Sequence, residues 1–90
     1  LHEFATLIEA LTLKPALARL AGALRDEARR AGADRFRLAG SKAELAARIS
    51  VAPATLSRTL AKLAHAGVIA VRGREIEILD RPQLGRMAEG

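Results

Sequence analysis

Residues 41–79 read SKAELAARISVAPATLSRTLAKLAHAGVIAVRGREIEIL, and this stretch decides the fold. It opens with the pattern of a capping box, in which Ser41 serves an early backbone N–H and Glu44 reaches back. A short helix is therefore predicted to follow. Pro53 fits the first turn of a second helix, and Gly67 ends that helix. Only residues 50–52 connect the two helices, and two helices joined by about three residues are typical of a helix-turn-helix motif.

The apolar residues of these two helices are spaced to lock the helices together. Five of them face inward by helical periodicity: Leu45, Ile49, Leu56, Leu60 and Leu63. Ala46 supplies the small side chain that a close approach of the first helix requires. The turn between the helices favours a residue that tolerates a positive φ, and Ser50 suits it less well than glycine would.

A β-hairpin is predicted after the second helix. Residues 68–71 and 75–79 are β-branched or alternate in polarity on either side of Arg72 and Gly73. Residues 80–83 have the pattern of the start of a short final helix. This order of elements predicts a mainly α-helical fold with a small β-hairpin, the winged helix-turn-helix, built as a three-helix core plus a wing.

Two helices are predicted upstream of the motif. The first carries apolar residues at the 3-4-3 spacing of a coiled coil: Leu1, Phe4, Ile8 and Leu11. This stripe indicates the last turns of a helix that pairs with another helix; the alternative is a helix packed on its own domain. The pair Lys14-Pro15 breaks the pattern, and Pro15 suits the first turn of a new helix that reaches residue 31. Residues 36–38 are predicted to form a short strand.

Length and composition limit the class of protein. Ninety residues fit one small domain, and the absence of cysteine excludes disulfides, thiolate metal sites and cysteine nucleophiles. No apolar run has membrane-spanning length and no signal peptide is visible, so we expect a cytoplasmic protein without a membrane partner. Because the chain begins at Leu1 rather than Met, we expect it to be a fragment of a longer protein.

The net charge of +5 is concentrated in the middle of the sequence. Residues 29–74 hold ten Lys or Arg against two acids, which gives +8, whereas residues 1–28 come to −1 and residues 75–90 to −2. A basic centre between mildly acidic ends favours a polyanionic partner such as nucleic acid. The alternative is a solvated basic surface.

Catalytic and metal-binding groups are missing from the sequence. Ser57 has no His and acid arranged around it, and His2 and His65 are single histidines rather than a ligand cluster. Asp26 and Glu27 are adjacent and point apart on a helix, so they form no acid–base pair. We therefore predict no catalytic residue, no metal site and no enzymatic activity.

The ordered set of motifs resembles the DNA-binding domain of the Crp–Fnr transcription regulators. The resemblance rests on residues 55–58 (Thr-Leu-Ser-Arg), 67–69 (Gly-Val-Ile) and 72–74 (Arg-Gly-Arg), and it covers nearly the whole chain. It implies that residues 1–13 are the end of a dimerisation helix and residues 14–90 the winged helix-turn-helix domain. It also implies a sensor domain upstream, where any effector would bind, and no cofactor in this chain.

The resemblance also implies contact roles for individual residues. The second motif helix, about residues 53–66, enters the major groove, where Arg58 reads guanine through O6 and N7 and where Ser57 and Ala54 face bases. Six residues are expected to contact phosphate and so to position the domain: Ser41, Lys42, Thr55, Arg72, Gly73 and Arg74.

Two residues depart from the family pattern. Ala54 stands where family members usually carry an acid that accepts a hydrogen bond from cytosine, so the operator is expected to differ from that of the best-known members. Ala52 stands where a capping hydroxyl is usual.

The function predicted from the sequence is sequence-specific binding of double-stranded DNA. In the full-length protein the domain would act as a homodimer on a palindromic operator, with RNA polymerase as a further candidate partner. The alternative is a winged-helix module for protein–protein contact without DNA. That alternative predicts an apolar exposed face on the second motif helix, and Arg58, Lys62 and His65 argue against it.

Overall fold

The computed structural model describes the backbone of residues 2–90 and the side chains of residues 13–90. The elements in chain order are α1 (His2–Ala31), β1 (Arg35–Arg37), α2 (Lys42–Arg48), α3 (Pro53–His65), β2 (Ile69–Arg72), β3 (Glu75–Ile78) and α4 (Arg81–Ala88). Helix α1 packs against α3, α4 and β1, while α2 packs against α3. This arrangement confirms the predicted winged helix-turn-helix.

The two helices predicted upstream of the motif are one helix. Helix α1 continues through Pro15 to Ala31, so the predicted break at Lys14-Pro15 is wrong. A proline inside a helix removes one backbone hydrogen bond, but its fixed φ is compatible with helical geometry. Leu20 and Leu24 are buried in the core, and their burial stabilises the part of α1 that follows Pro15. The side chains of the apolar stripe at residues 1–11 lie outside the described side chains, and the pairing predicted for them stays a prediction.

The core forms where α1, α2 and α3 meet the sheet. Leu45, Ala46, Leu56, Leu60 and Leu63 are all buried in it, as their spacing predicted. Ile49 packs against this cluster while partly exposed. Because one side of α3 is fixed in this core, its other side is held towards solvent.

The sheet contains three antiparallel strands in the order β1-β3-β2. Strands β2 and β3 form the predicted hairpin, in which Val71 pairs with Ile76. Strand β1 lies one residue earlier than predicted and pairs with β3, placing Phe36 opposite Ile76. Both of these side chains are buried, so β1 attaches the hairpin to the core.

Helix α4, the last element of the chain, packs against α1. The Asp80 carboxylate accepts a hydrogen bond from the Gln83 N–H at 3.1 Å and caps the helix, and Leu84 is buried. This confirms the short final helix. Among the described residues, no helix has both the length and the hydropathy needed to cross a bilayer.

Candidate nucleic-acid interface

The N-terminus of α2 carries the predicted capping box. The Glu44 N–H donates to Ser41 Oγ at 3.0 Å, and the Ser41 N–H donates to Glu44 Oε1 at 3.0 Å. These bonds with Ser41 hold the pKa of Glu44 below its usual value, and the charges of Arg48 and Arg74 lower it further. The Ser41 hydroxyl accepts in this arrangement, so its own O–H proton stays able to donate to a phosphate. Lys42 is exposed beside it.

The turn between α2 and α3 has the geometry that its sequence predicted. Ser50 has a φ of +60°, in the left-handed region that favours glycine. The Val51 N–H donates to the Ala46 carbonyl at 2.9 Å, and the Ser50 N–H donates to the Ala47 carbonyl at 3.2 Å. These bonds fix the direction in which α3 leaves the turn.

Helix α3 has one anchored face and one exposed face. Thr59 is fully buried, and its hydroxyl lies 2.9 Å from both the Thr55 and the Leu56 carbonyl oxygens, so it is satisfied inside the helix. The exposed face brings together the three residues predicted to face bases, Ala54, Ser57 and Arg58. Lys62 and His65 continue the same face towards the end of the helix, and α3 contains no acidic residue.

The residues predicted to contact phosphate differ in how accessible they are. Lys42, Arg72, Gly73 and Arg74 are exposed and Ser41 is half-buried. Thr55 is only 7% exposed, because its side chain lies on the anchored side of α3. Any contact from Thr55 is therefore limited to the small accessible part of the residue in the first helical turn.

The wing is a tight turn between β2 and β3. Its two loop residues are Gly73 and Arg74, and Gly73 has a φ of +60°, as a type II′ hairpin turn requires at its first position. The Leu38 N–H donates to the Arg74 carbonyl at 2.9 Å, which ties the end of β1 to the turn. Since α2 begins at Lys42, four residues after Leu38, this bond also keeps the wing close to the start of α2.

Sequence reasoning missed two polar contacts between α1 and the motif. Glu27 is 9% exposed and forms an ion pair with Arg48 of α2, while Arg19 donates to the carbonyl of Ser50. From the sequence, Glu27 is considered only as a possible acid–base partner of Asp26. No local pattern links these residues, because their partners lie more than twenty positions away.

Comparison with known proteins places the chain in a family. Residues 18–87 match the Crp-like helix-turn-helix domain. No curated protein matches the chain. Solved structures that are similar to it include the following three.

The catabolite activator protein of Thermus thermophilus shares 28% identity over 99% of this chain and 41% of its own, with a TM-score of 0.83. DNR from Pseudomonas aeruginosa shares 36% identity over 96% of this chain and 39% of its own, with a TM-score of 0.78. FixK2 from Bradyrhizobium japonicum shares 28% identity over 80% of this chain and 37% of its own, with a TM-score of 0.75.

The chain thus spans about two fifths of the length of each of these proteins. The family match covers most of the chain, and the similar structures share both its fold and more than a quarter of its aligned residues. Together they identify the chain as a domain of the kind found in DNA-binding regulators. The chain belongs to the Crp-like helix-turn-helix domain family, the DNA-binding domains of the Crp–Fnr transcription regulators.

Proposed function

We propose that this domain binds duplex DNA in a sequence-specific manner, with α3 in the major groove. The observation that supports this most strongly is the exposed face of α3, where Ala54, Ser57 and Arg58 lie together on a helix without acids. A major groove admits one α-helix and presents a distinct pattern of donors and acceptors for each base pair. The opposite face of α3 is buried in the core, so the exposed face is turned towards solvent.

Three side chains would read bases. Arg58 can donate to O6 and N7 of one guanine, which is the commonest specific contact in the major groove. Ser57 can donate to or accept from a neighbouring base. Ala54 offers a methyl group, which suits the methyl of thymine and cannot accept a hydrogen bond from cytosine N4.

A second set of residues would hold the phosphates on either side of the groove. Ser41 and Lys42 lie at the N-terminus of α2, and Arg72, Gly73 and Arg74 form the wing. Thr55 would contribute through the first turn of α3. These contacts would set register and orientation without carrying sequence information.

The domain would act as one half of a two-fold dimer. A dimer places two recognition helices about one turn of DNA apart, which requires a palindromic operator. Residues 1–13 would supply part of the dimer contact, and RNA polymerase is a further candidate partner on the bound promoter.

Selection from a library of duplexes with randomised half-sites, at fixed salt, tests the proposal. We expect one enriched motif that contains guanine, and for random duplex we expect the logarithm of the association constant to fall linearly with the logarithm of salt concentration. Arg86→Ala, which removes a cation from α4, should leave the motif unchanged and serves as the control. Failure to bind any duplex at low salt would instead favour a protein–protein module.

A further inference from the structure

A buried carboxylate connects α1 to the helix-turn-helix motif. Glu27 is 9% exposed, and its Oε1 lies 3.4 Å from Arg30 Nη2 on the same helix and 3.6 Å from Arg48 Nη2 on α2. This oxygen accepts no hydrogen bond from the described residues. A buried charge is costly unless opposite charges surround it, so Glu27 favours positions of α2 that keep Arg48 close.

A second contact joins α1 to the same segment of the motif. Arg19 Nη1 donates to the Ser50 carbonyl at 3.2 Å. Arg19 and Glu27 are eight residues apart, which corresponds to about 12 Å along the helix axis. The two side chains therefore hold the segment 48–50 from two separated points on α1.

Segment 48–50 determines where α3 points. It ends α2 and contains Ser50, whose left-handed φ of +60° turns the chain into α3. A small change in its dihedral angles would swing the exposed face of α3, and Arg58 with it. The apolar contacts of the core favour close packing but are not directional, whereas hydrogen bonds and ion pairs depend on angle and distance.

We infer that Arg19 and Glu27 are positioning residues for DNA recognition. They lie on α1 and act through Ser50 and Arg48 on the orientation of α3. The inference rests on the proposed DNA-binding function. It assigns a specificity role to side chains that touch no DNA themselves.

Two single variants test this role. Glu27→Gln preserves the shape of the side chain and removes its charge, and the fold should survive because the Arg48 and Arg30 side chains are 49% and 68% exposed and can be hydrated. Arg19→Gln removes the contact to Ser50 from an exposed position. Glu89→Gln makes the same chemical change as Glu27→Gln at an exposed site on the C-terminal side of α4 and is the matched control.

The readout is the ratio of affinities for the selected half-site and for a scrambled duplex, measured by fluorescence anisotropy beside a melting curve. We expect Glu27→Gln and Arg19→Gln each to lower this ratio about tenfold, the size of one lost base contact, while binding to scrambled duplex changes little. Glu89→Gln should leave the ratio unchanged. The double variant Glu27→Gln, Arg48→Gln should have about the ratio of Glu27→Gln alone, because the two residues form one contact.

Three outcomes would overturn the inference. An unchanged ratio in both single variants would show that these two polar contacts do not orient α3. Equal losses for selected and scrambled duplex, together with a lower melting temperature, would mean that the contacts only stabilise the fold. Additive losses in the double variant would show that Glu27 and Arg48 act independently. If the unmodified chain bound no duplex, the proposed function itself would fail, which is a distinct result.

Discussion

Two arginines of the candidate interface are expected to contribute to DNA binding in different ways. If Arg58 makes a bidentate contact to guanine, Arg58→Ala should cost about 1–3 kcal/mol and relax the preference at one base pair. Arg74→Ala should weaken all sequences alike, because a phosphate contact carries no sequence information. The measurement is the half-site selection repeated with each variant. A motif that survives Arg58→Ala intact would show that this side chain does not read a base.

Ala54 allows a test of how the residues of α3 are matched to the base-contacting positions of the family's recognition helices. An acid at this position can accept from cytosine N4, and the exposed position of Ala54 in the first turn of α3 leaves room for one. We expect Ala54→Glu to move the preference towards a C·G pair, with Ala54→Gln as a control of similar size and no charge. A uniform change in affinity without a shift in the selected motif would mean that residue 54 faces no base.

The strained backbone of Ser50 gives a prediction about stability. A left-handed conformation costs a non-glycine residue about 1–2 kcal/mol, and glycine at this position would remove that cost. Part of the resulting stabilisation is lost because glycine raises the conformational entropy of the unfolded chain. Ser50→Gly should therefore stabilise the domain by about 0.5–1 kcal/mol in urea unfolding. Ser50→Ala retains the strain and should give no gain. Destabilisation by glycine would indicate that the serine hydroxyl has a stabilising role of its own.

At the scale of single elements, the capping box of α2 predicts how stability depends on pH. The pKa of Glu44 is lowered in the folded state from 4.5, so its charge stabilises the fold above about pH 4.5. That contribution is lost as pH falls through the folded pKa. Glu44→Gln keeps a capping side chain without the charge. As pH falls below 4.5, the stability of this variant should therefore change less than the stability of the unmodified chain.

Denaturant unfolding at several pH values measures this effect. At neutral pH Glu44→Gln should be the less stable protein, and the difference should shrink on acidification. Glu89→Gln, which lies outside the capping box, is the control and should follow the unmodified chain. A difference that stayed constant with pH would show that the carboxylate charge of Glu44 adds nothing to the cap.

The elements that could be predicted from sequence are those with local signals at their ends. Pro53 and Gly67 bracket α3, and the Ser41–Glu44 pair marks the start of α2, so both helices were found. Pro15 gave the wrong result because proline fits both the first turn of a helix and, at the loss of one hydrogen bond, its interior. Which of these applies depends on the packing of α1, and no local signal reports that packing.

At the scale of the whole molecule, stability depends on one small core. Leu56 is 1% exposed between the motif helices, and truncating such a leucine costs about 2–5 kcal/mol. A domain of this size has little more in total, so Leu56→Ala should be largely unfolded at ambient temperature. Circular dichroism melting provides the measurement.

Leu79 provides the matched control for that core substitution. It is 55% exposed, so Leu79→Ala makes the same chemical change where little apolar surface is buried, and it should alter the melting temperature only slightly. Equal effects of the two substitutions would contradict the orientation of α3 described above.

Contacts between residues that lie far apart in the sequence could not be predicted from it. The exposed face of α3 could be predicted, because Ala54, Ser57 and Arg58 are related by helical periodicity alone. The pairing of Phe36 with Ile76 and of Glu27 with Arg48 could not, because each joins residues with no shared local pattern. Thr55 shows a related limit, since its burial depends on how α3 is rotated against the core.

The strand order leaves β1 and β2 as the two edges of the sheet in the described part of the chain. Open edges invite strands from other molecules to pair with them, which is the first step of aggregation. Here the edges are only three and four residues long, and they carry the exposed cations Arg35, Arg37 and Arg72. Arg35 is paired with Glu77, but the net charge of +5 would still make two copies repel each other as they approached. The domain should therefore stay dispersed in concentrated solution, and added salt, which screens this repulsion, should lower its solubility.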